Sequence, residues 1–247
     1  MLNLATKWTR PNSGLACRPD ANCVLWLPGQ DDAYSTTIRD RSGKENHGTI
    51  VGATWSRQPS GLWSLYHDGD DYIDIDVAVN DLAATTTGTW MAWVKLPDAT
   101  PASNTRVITF GDTDGSSRIE FFVTKEGLLR ADAWNADTVQ WDVDTDAAVF
   151  SDNVFLHVAL IQDGVSPILI VNGVQVAQTF ITSTNKTLWF SGLGGIDNGR
   201  IGCLNCSSLG NINYLTGYEA LVTLTTDAKT VTQVRHRVNQ TRHLFGV

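Results

Sequence analysis

Short runs in which apolar and polar residues alternate, bounded by Gly, Asn, Asp or Pro, recur along almost the whole chain. They predict strands at about 24–28, 49–56, 63–67, 71–77, 88–96, 106–110, 118–124, 128–134, 138–143, 154–162, 167–171, 174–180, 187–190 and 217–224. So many short strands at regular spacing predict an all-β sandwich or barrel. Two hairpins have a mechanism. Asn172-Gly173 supplies the positive φ of a two-residue turn, and Lys125-Glu126-Gly127 closes 119–124 onto 128–133. One helix is predicted over 226–244, capped by Thr226, with Asp227 at its positive end and Arg242 and His243 at its negative end. Val231, Val234, Val238, Thr241 and Phe245 give it an apolar face expected to pack on the sandwich.

Length fits one domain, taken as 24–247 with residues 1–23 as an extension packed on it, since no Pro/Ser/Gly-rich linker divides the chain. The acidic residues are 22 Asp against 4 Glu, which points to acid-rich turns rather than exposed helices. A net charge of −8, with Lys and Arg dispersed, excludes the basic stripe that nucleic acid demands. No run approaches the roughly 18 apolar residues of a membrane span, and residues 1–14 lack the apolar stretch of a secretion signal. The sequons at Asn185, Asn205 and Asn239 are taken as chance.

Two phrases carry a family resemblance. Asp40-Arg-Ser-Gly-Lys-Glu-Asn46-His-Gly48 follows D-x-S-G-x-x-N-x-G, and His67-Asp68-Gly-Asp70-Asp71-Tyr-Ile73 follows F-D-G-x-D-D-Y-[VI]. Downstream stand Gly88-Thr-Trp-Met-Ala-Trp93, Phe155-Leu-His157-Val-Ala159, Val171-Asn172-Gly173 and Leu215-Thr-Gly217-Tyr-Glu219, in the expected order. Together they resemble laminin G-like domains of the concanavalin A-like lectin/glucanase group. The likeness spans about 24–246 and departs at His67, at Phe155 and in the four cysteines. It implies a concanavalin A-like jelly-roll sandwich of two antiparallel sheets with a C-terminal helix, acting in recognition of glycan or a protein neighbour. It also implies calcium at the rim, with Asp40, Asp68, Asp71 and Glu219 as the carried-over ligands. The alternative reading of the Asp68 phrase is a turn followed by a solvated strand.

Nine Trp could stack on sugar faces; Trp90 and Trp93 are better explained as core, while Trp134, Trp141 and Trp189, beside Asn135, Asp142 and loop glycines, are candidates for an exposed glycan face. Asp142, Asp144 and Asp146 would share one strand face, able to share a cation or to serve as the acid and base of glycoside hydrolysis, or else simply solvated, and Asp142 and Asp144 join the candidate glycan face. Cys17, Cys23, Cys203 and Cys206 form two close pairs that suit a structural zinc site, two disulfides or free thiols.

Motifs for catalysis are missing. None of the four Glu begins the E-x-D-x-x-E strand of laminarinase-type relatives, and no G-x-S-x-G, H-E-x-x-H or phosphate loop occurs. The expectation is a non-catalytic module displayed outside the cell or on a particle surface, such as a virus decoration or adhesion protein. A polysaccharide hydrolase or lyase and a purely structural capsid or fibre component are the alternatives, and assembly into an oligomer is allowed by each.

Overall fold

The computed structural model describes residues 19–247. In chain order its strands are β1 (Cys23–Leu27), β2 (Thr37–Ile38), β3 (Gly48–Val51), β4 (Thr54–Arg57), β5 (Trp63–Asp68), β6 (Tyr72–Asp74), β7 (Gly88–Lys95), β8 (Thr105–Gly111), β9 (Arg118–Val123) and β10 (Leu129–Asn135). There follow β11 (Thr138–Thr145), β12 (Leu156–Gln162), β13 (Pro167–Val171), β14 (Val174–Gln175), β15 (Gln178–Ser183), β16 (Asn198–Ile201), β17 (Leu204–Asn205), β18 (Asn211–Ile212) and β19 (Thr216–Thr225). A one-turn helix α1 (Val79–Leu82) and a terminal helix α2 (Val231–Thr241) complete the chain.

Two antiparallel sheets form a sandwich. The first, sheet A, runs β14-β13-β12-β7-β19-β5-β4, with β1 also on β19; the second, sheet B, runs β15-β11-β10-β9-β8-β16-β6-β3-β2. Between them lies one apolar core in which the Trp90 ring meets Phe110 at 5.4 Å and Trp189 at 5.1 Å between centroids. Each aliphatic or Phe side chain buried there contributes about 1.5–3 kcal/mol, which makes this layer the main source of stability.

Strand β7 is apolar on both faces because sheet A is covered twice. Its inner face carries Trp90, Ala92 and Val94 into the core; its outer face carries Met91 and Trp93 beneath α2. Trp93 stacks on Phe245 at 4.3 Å, and its indole N–H donates to Thr241 Oγ1 at 3.1 Å. Val234, Val238 and Thr241 are the buried face of α2, as the spacing predicts. The helix starts later than expected. Its cap is Thr230, in a reciprocal capping box with Gln233, while Asp227 and Lys229 are held beside Thr89 through their backbone groups.

Other departures have local reasons. The run 49–56 breaks at Gly52, whose φ of +82° turns the chain from sheet B to sheet A. The run 174–180 likewise divides between β14 in sheet A and β15 in sheet B. Residues 187–190 are not a strand: Trp189 and Phe190 turn into the core at a 3₁₀ turn, Phe190–Gly192. Both predicted hairpins form, with φ of +50° and +76° at Asn172 and Gly173 and +75° at Gly127. Among the described residues no helix is long and apolar enough to cross a membrane.

Candidate functional site

The outer face of sheet B is built by a period-two pattern in one hairpin. Ile119, Phe121 and Val123 of β9 and Leu129, Ala131 and Ala133 of β10 point into the core. The residues between them, Arg118, Glu120, Phe122, Arg130, Asp132 and Trp134, therefore share the opposite face. Pairing register sets them side by side: Arg118 opposite Trp134, Glu120 opposite Asp132, Phe122 opposite Arg130. The neighbouring strands extend the rows. Asp142 and Asp144 of β11 stand opposite Asp132 and Arg130, and Arg106 and Thr109 of β8 stand opposite Phe122 and Glu120. Arg200 of β16 stands opposite Thr109, and Asp74 of β6 opposite Arg200.

Glu120, 1% exposed, accepts from the Nε of Arg106 and, at 2.6 Å, from the Nε of Arg118. Asp142 takes Arg130 in a two-pronged pair, with Nε to Oδ1 at 2.8 Å and Nη2 on Oδ2. The guanidinium planes also lie over aromatic rings: Arg118 over Trp134 at 4.0 Å, Arg106 over Phe122 at 4.4 Å and Arg200 over Tyr72 at 5.4 Å. Arg200 in turn pairs with Asp74 and Asp76.

Asp132 is the exception in this row. It is 7% exposed, makes no salt bridge, and its Oδ1 has no hydrogen-bond partner. Burial, then the charges of Glu120 and Asp142 on either side, push its carboxyl well above the usual carboxylate range. Asp144, half-buried, is raised by burial and by Asp142 and Asp146, with Arg130 opposing. At one end the β17–β18 hairpin roofs the face: the Asn205 carbonyl accepts from Asn198 Nδ2 at 3.1 Å, the Cys203 carbonyl from Thr109 Oγ1 at 2.7 Å, and Asn211 Oδ1 from Arg200 Nε at 3.4 Å.

Of the residues singled out in the sequence for a glycan face, Trp134, Asp142 and Asp144 lie here. Trp141 and Trp189 do not. Both are core residues, at 0% and 1% exposure, with Trp141 Nε1 donating to the Leu188 carbonyl at 2.9 Å; a single residue's shift in phase separates an inward from an outward side chain. Asp146 falls past the end of β11 and accepts from Thr179 at 2.7 Å. Arg106, Arg118, Glu120, Phe122, Arg130 and Asp132 are absent from the sequence reading. The signal was present in Arg118-Ile-Glu120-Phe-Phe122 and Arg130-Ala-Asp132-Ala-Trp134, where polar residues alternate with apolar ones on both arms of a predicted hairpin.

The four carboxylates implied for calcium do not form one site. Asp40 is saturated by the backbone N–H groups of Trp26, Ser42 and Asn46 and by the Ser42 hydroxyl, so it staples its loop to β1. Glu219 is inside the sandwich, with neither oxygen bonded and its carboxyl pushed well up by burial. Asp68, Asp70 and Asp71 do gather, with ligating atoms all within 4.8 Å of one another. Among the described residues this is the group whose donors fit a hard cation. Asp70 is raised by its hydrogen bond and charge repulsion with Asp68, as expected where such oxygens crowd.

The cysteines are also dispersed. Cys23 is on β1 of sheet A, whereas Cys203 and Cys206 flank β17, which lies against β8 of sheet B. All three are free thiols, and burial pushes Cys23 and Cys203 up to about 12, where neither is a thiolate. Cys17 lies outside the described residues.

Comparison with known proteins places this geometry in a wider group. No curated protein matches the chain. Among solved structures, the CBM40 of the Ruminococcus gnavus IT-sialidase bound to α2,3-sialyllactose superimposes with a TM-score of 0.61 at 15% identity, over 70% of this chain and 95% of that one. The Trypanosoma rangeli sialidase gives a TM-score of 0.62 at 15% identity over 92% of this chain, and the leech intramolecular trans-sialidase 0.61 at 16% over 71%. This chain spans only 34% and 27% of the length of those two enzymes. At such identities the likeness is one of fold. A laminin G-like family profile matches residues 67–234, more than half of the sequence and most of both sheets; the chain belongs to the concanavalin A-like lectin/glucanase superfamily.

Proposed function

We propose that this protein is a non-catalytic carbohydrate-recognition module that takes a glycan on the outer face of sheet B. The observation that carries the reading is the Arg118–Trp134 pair beside Glu120 and Asp132: a half-exposed indole next to fixed carboxylates. A pyranose needs that combination, an aromatic plane for its C–H face and rigid acceptors for its hydroxyls. Glu120 and Arg118 are already locked by ion pairs and Trp134 is stacked on Arg118, so little ordering entropy is lost there on binding. The CBM40 neighbour bound to sialyllactose supports the class of ligand through its shared fold alone. Calcium at Asp68, Asp70 and Asp71 belongs to the proposal as a rim site separate from this face.

One observation favours an alternative chemistry. A carboxyl pushed well above the usual range by burial and by neighbouring carboxylates resembles the general-acid half of a glycosidase pair. Against it, Glu120 and Asp142 are each engaged by guanidinium groups, which makes them poor nucleophiles or bases.

A glycan array on the purified protein, with calcium in one arm and chelator in the other, tests the reading. Binding of a sugar class that is lost in Trp134→Ala supports it; silence of the array in both arms overturns it. Reducing-sugar release from the same glycans would replace it with the hydrolytic alternative.

A further inference from the structure

The charges on the outer face of sheet B do not balance. Four guanidinium groups, of Arg106, Arg118, Arg130 and Arg200, face six carboxyls, of Asp74, Asp76, Glu120, Asp132, Asp142 and Asp144. Every one of the four arginines is spent: Arg106 and Arg118 on Glu120, Arg130 on Asp142, Arg200 on Asp74 and Asp76. The two carboxyls left without a salt bridge are Asp132 and Asp144, on adjacent strands β10 and β11 on either side of the Arg130–Asp142 pair. Asp132 is more than nine-tenths buried, and its Oδ1 has no partner.

An anionic sugar would have to break an existing arginine–carboxylate pair to gain a cation, and would approach two uncompensated acids. Removing one partner from a buried pair leaves an uncompensated buried charge, a loss that one new ion pair does not make good. A metal ion is not the answer either. Among the described residues the carboxylates that converge on a common point are Asp68, Asp70 and Asp71, which lie elsewhere. What the face lacks is a positively charged hydrogen-bond donor about the size of one sugar substituent.

We infer that the ligand of this face is a hexosamine oligosaccharide with free amino groups, one ammonium of which bonds Asp132 while Asp144 completes its environment and Trp134 carries a ring. This rests on the glycan-binding reading and narrows it to a cationic sugar. The groups facing Asp132 are Glu120 and Arg118 from β9, Asp142 and Asp144 from β11, Arg130 from its own strand and Arg106 from β8. In the empty protein burial, then the charges of Glu120 and Asp142, push the Asp132 carboxyl up against the opposing pull of Arg118 and Arg106, and none of the three arginines pairs with it. An arriving ammonium paired directly with this carboxyl favours its charged form, so the pair forms with release of protons from Asp132 to solvent while the ligand amine keeps its own.

Titration calorimetry of the full chain with three probes tests this: a glucosamine tetrasaccharide, its fully N-acetylated counterpart and 3′-sialyllactose, each in two buffers of different ionisation enthalpy. The free-amine probe is expected to bind at least about tenfold tighter than either of the others, with proton release visible as a buffer-dependent heat. In Asp132→Asn, which relieves crowding of acids and so keeps the fold, that preference and the proton release are both lost. Equal or tighter binding of the N-acetylated probe or of sialyllactose overturns the cationic-sugar inference and leaves the glycan site standing. Binding of none of the three, together with a silent array, removes both.

Discussion

Arg118 and Trp134 occupy directly opposed positions on β9 and β10, with the guanidinium carbon 4.0 Å from the centre of the indole ring. The ring is thereby held against the sheet by a neighbour that is itself fixed on Glu120. A cation over one aromatic face contributes about 0.5–1 kcal/mol at a partly exposed site. Trp134→Ala is therefore expected to lower unfolding free energy by about 1 kcal/mol or less, while weakening glycan binding at least about tenfold. Denaturant melts and calorimetry on the same variant separate the two effects.

Glu120 is the keystone of this face, since it is buried and holds two arginines. Glu120→Ala leaves both guanidinium groups unpaired, and the expected loss is about 3–5 kcal/mol. Glu120→Gln, which retains one acceptor oxygen, is expected to lose less. Urea unfolding of the pair orders them; equal losses would show that charge contributes nothing here.

Acid should unfold the protein through two buried imidazoles. Burial holds His67 at about 4 and His157 at about 3, both below the ordinary 6.5. The unfolded chain therefore binds these protons more readily than the native one. Their contribution is complete above about pH 6.5 and is lost as pH falls through 6.5 toward 4 and 3, with a slope of up to about 1.4 kcal/mol per pH unit for each. His157→Gln is expected to flatten the fall in melting temperature over pH 6 to 4. An unchanged slope would remove His157 from the account.

Glu219 has the opposite sign. Its carboxyl is raised by burial, so the native state holds the proton and stability declines as pH rises above the unfolded value of 4.5. Glu219→Gln, of the same shape and without the charge, is expected to raise the melting temperature at pH 8 and to leave it nearly unchanged at pH 4. A lower melting temperature at pH 8 would mean that the carboxylate has a partner in solution.

Gly173 has a φ of +76°, and a Cβ there would lie 2.7 Å from the Arg235 Cα. The β13–β14 turn thus abuts α2, and Arg235 Nε donates to the Gly173 carbonyl at 3.0 Å. Gly173→Ala should cost on the order of 2 kcal/mol through the strained φ and the displaced helix. Hydrogen exchange should show the loss concentrated in α2.

Much of the sandwich was legible because its information is local. Asn172-Gly173 and Lys125-Glu126-Gly127 specify their own hairpins, and the long apolar runs of β7 and β12 mark them as strands. What was illegible depends on distant pairing. Trp141 and Trp134 are both tryptophans on strands of one hairpin, and pairing register decides between them: Trp141 lies opposite inward-facing Ala133, and Trp134 opposite outward-facing Arg118. Asp40 reads as a metal ligand until three backbone N–H groups from separate positions are found on its oxygens. The β17–β18 hairpin carries too few apolar residues to announce itself, yet it forms one wall of the site.

The docking of α2 against Met91, Trp93 and Ile170 has a bearing on valency. With the middle of the outer face of sheet A covered by its own helix, the broad open sheet face among the described residues is that of sheet B. On the glycan-binding reading proposed above, one such face takes one stretch of a repeating polymer at a time. Avidity on that reading comes from the number and spacing of copies held together.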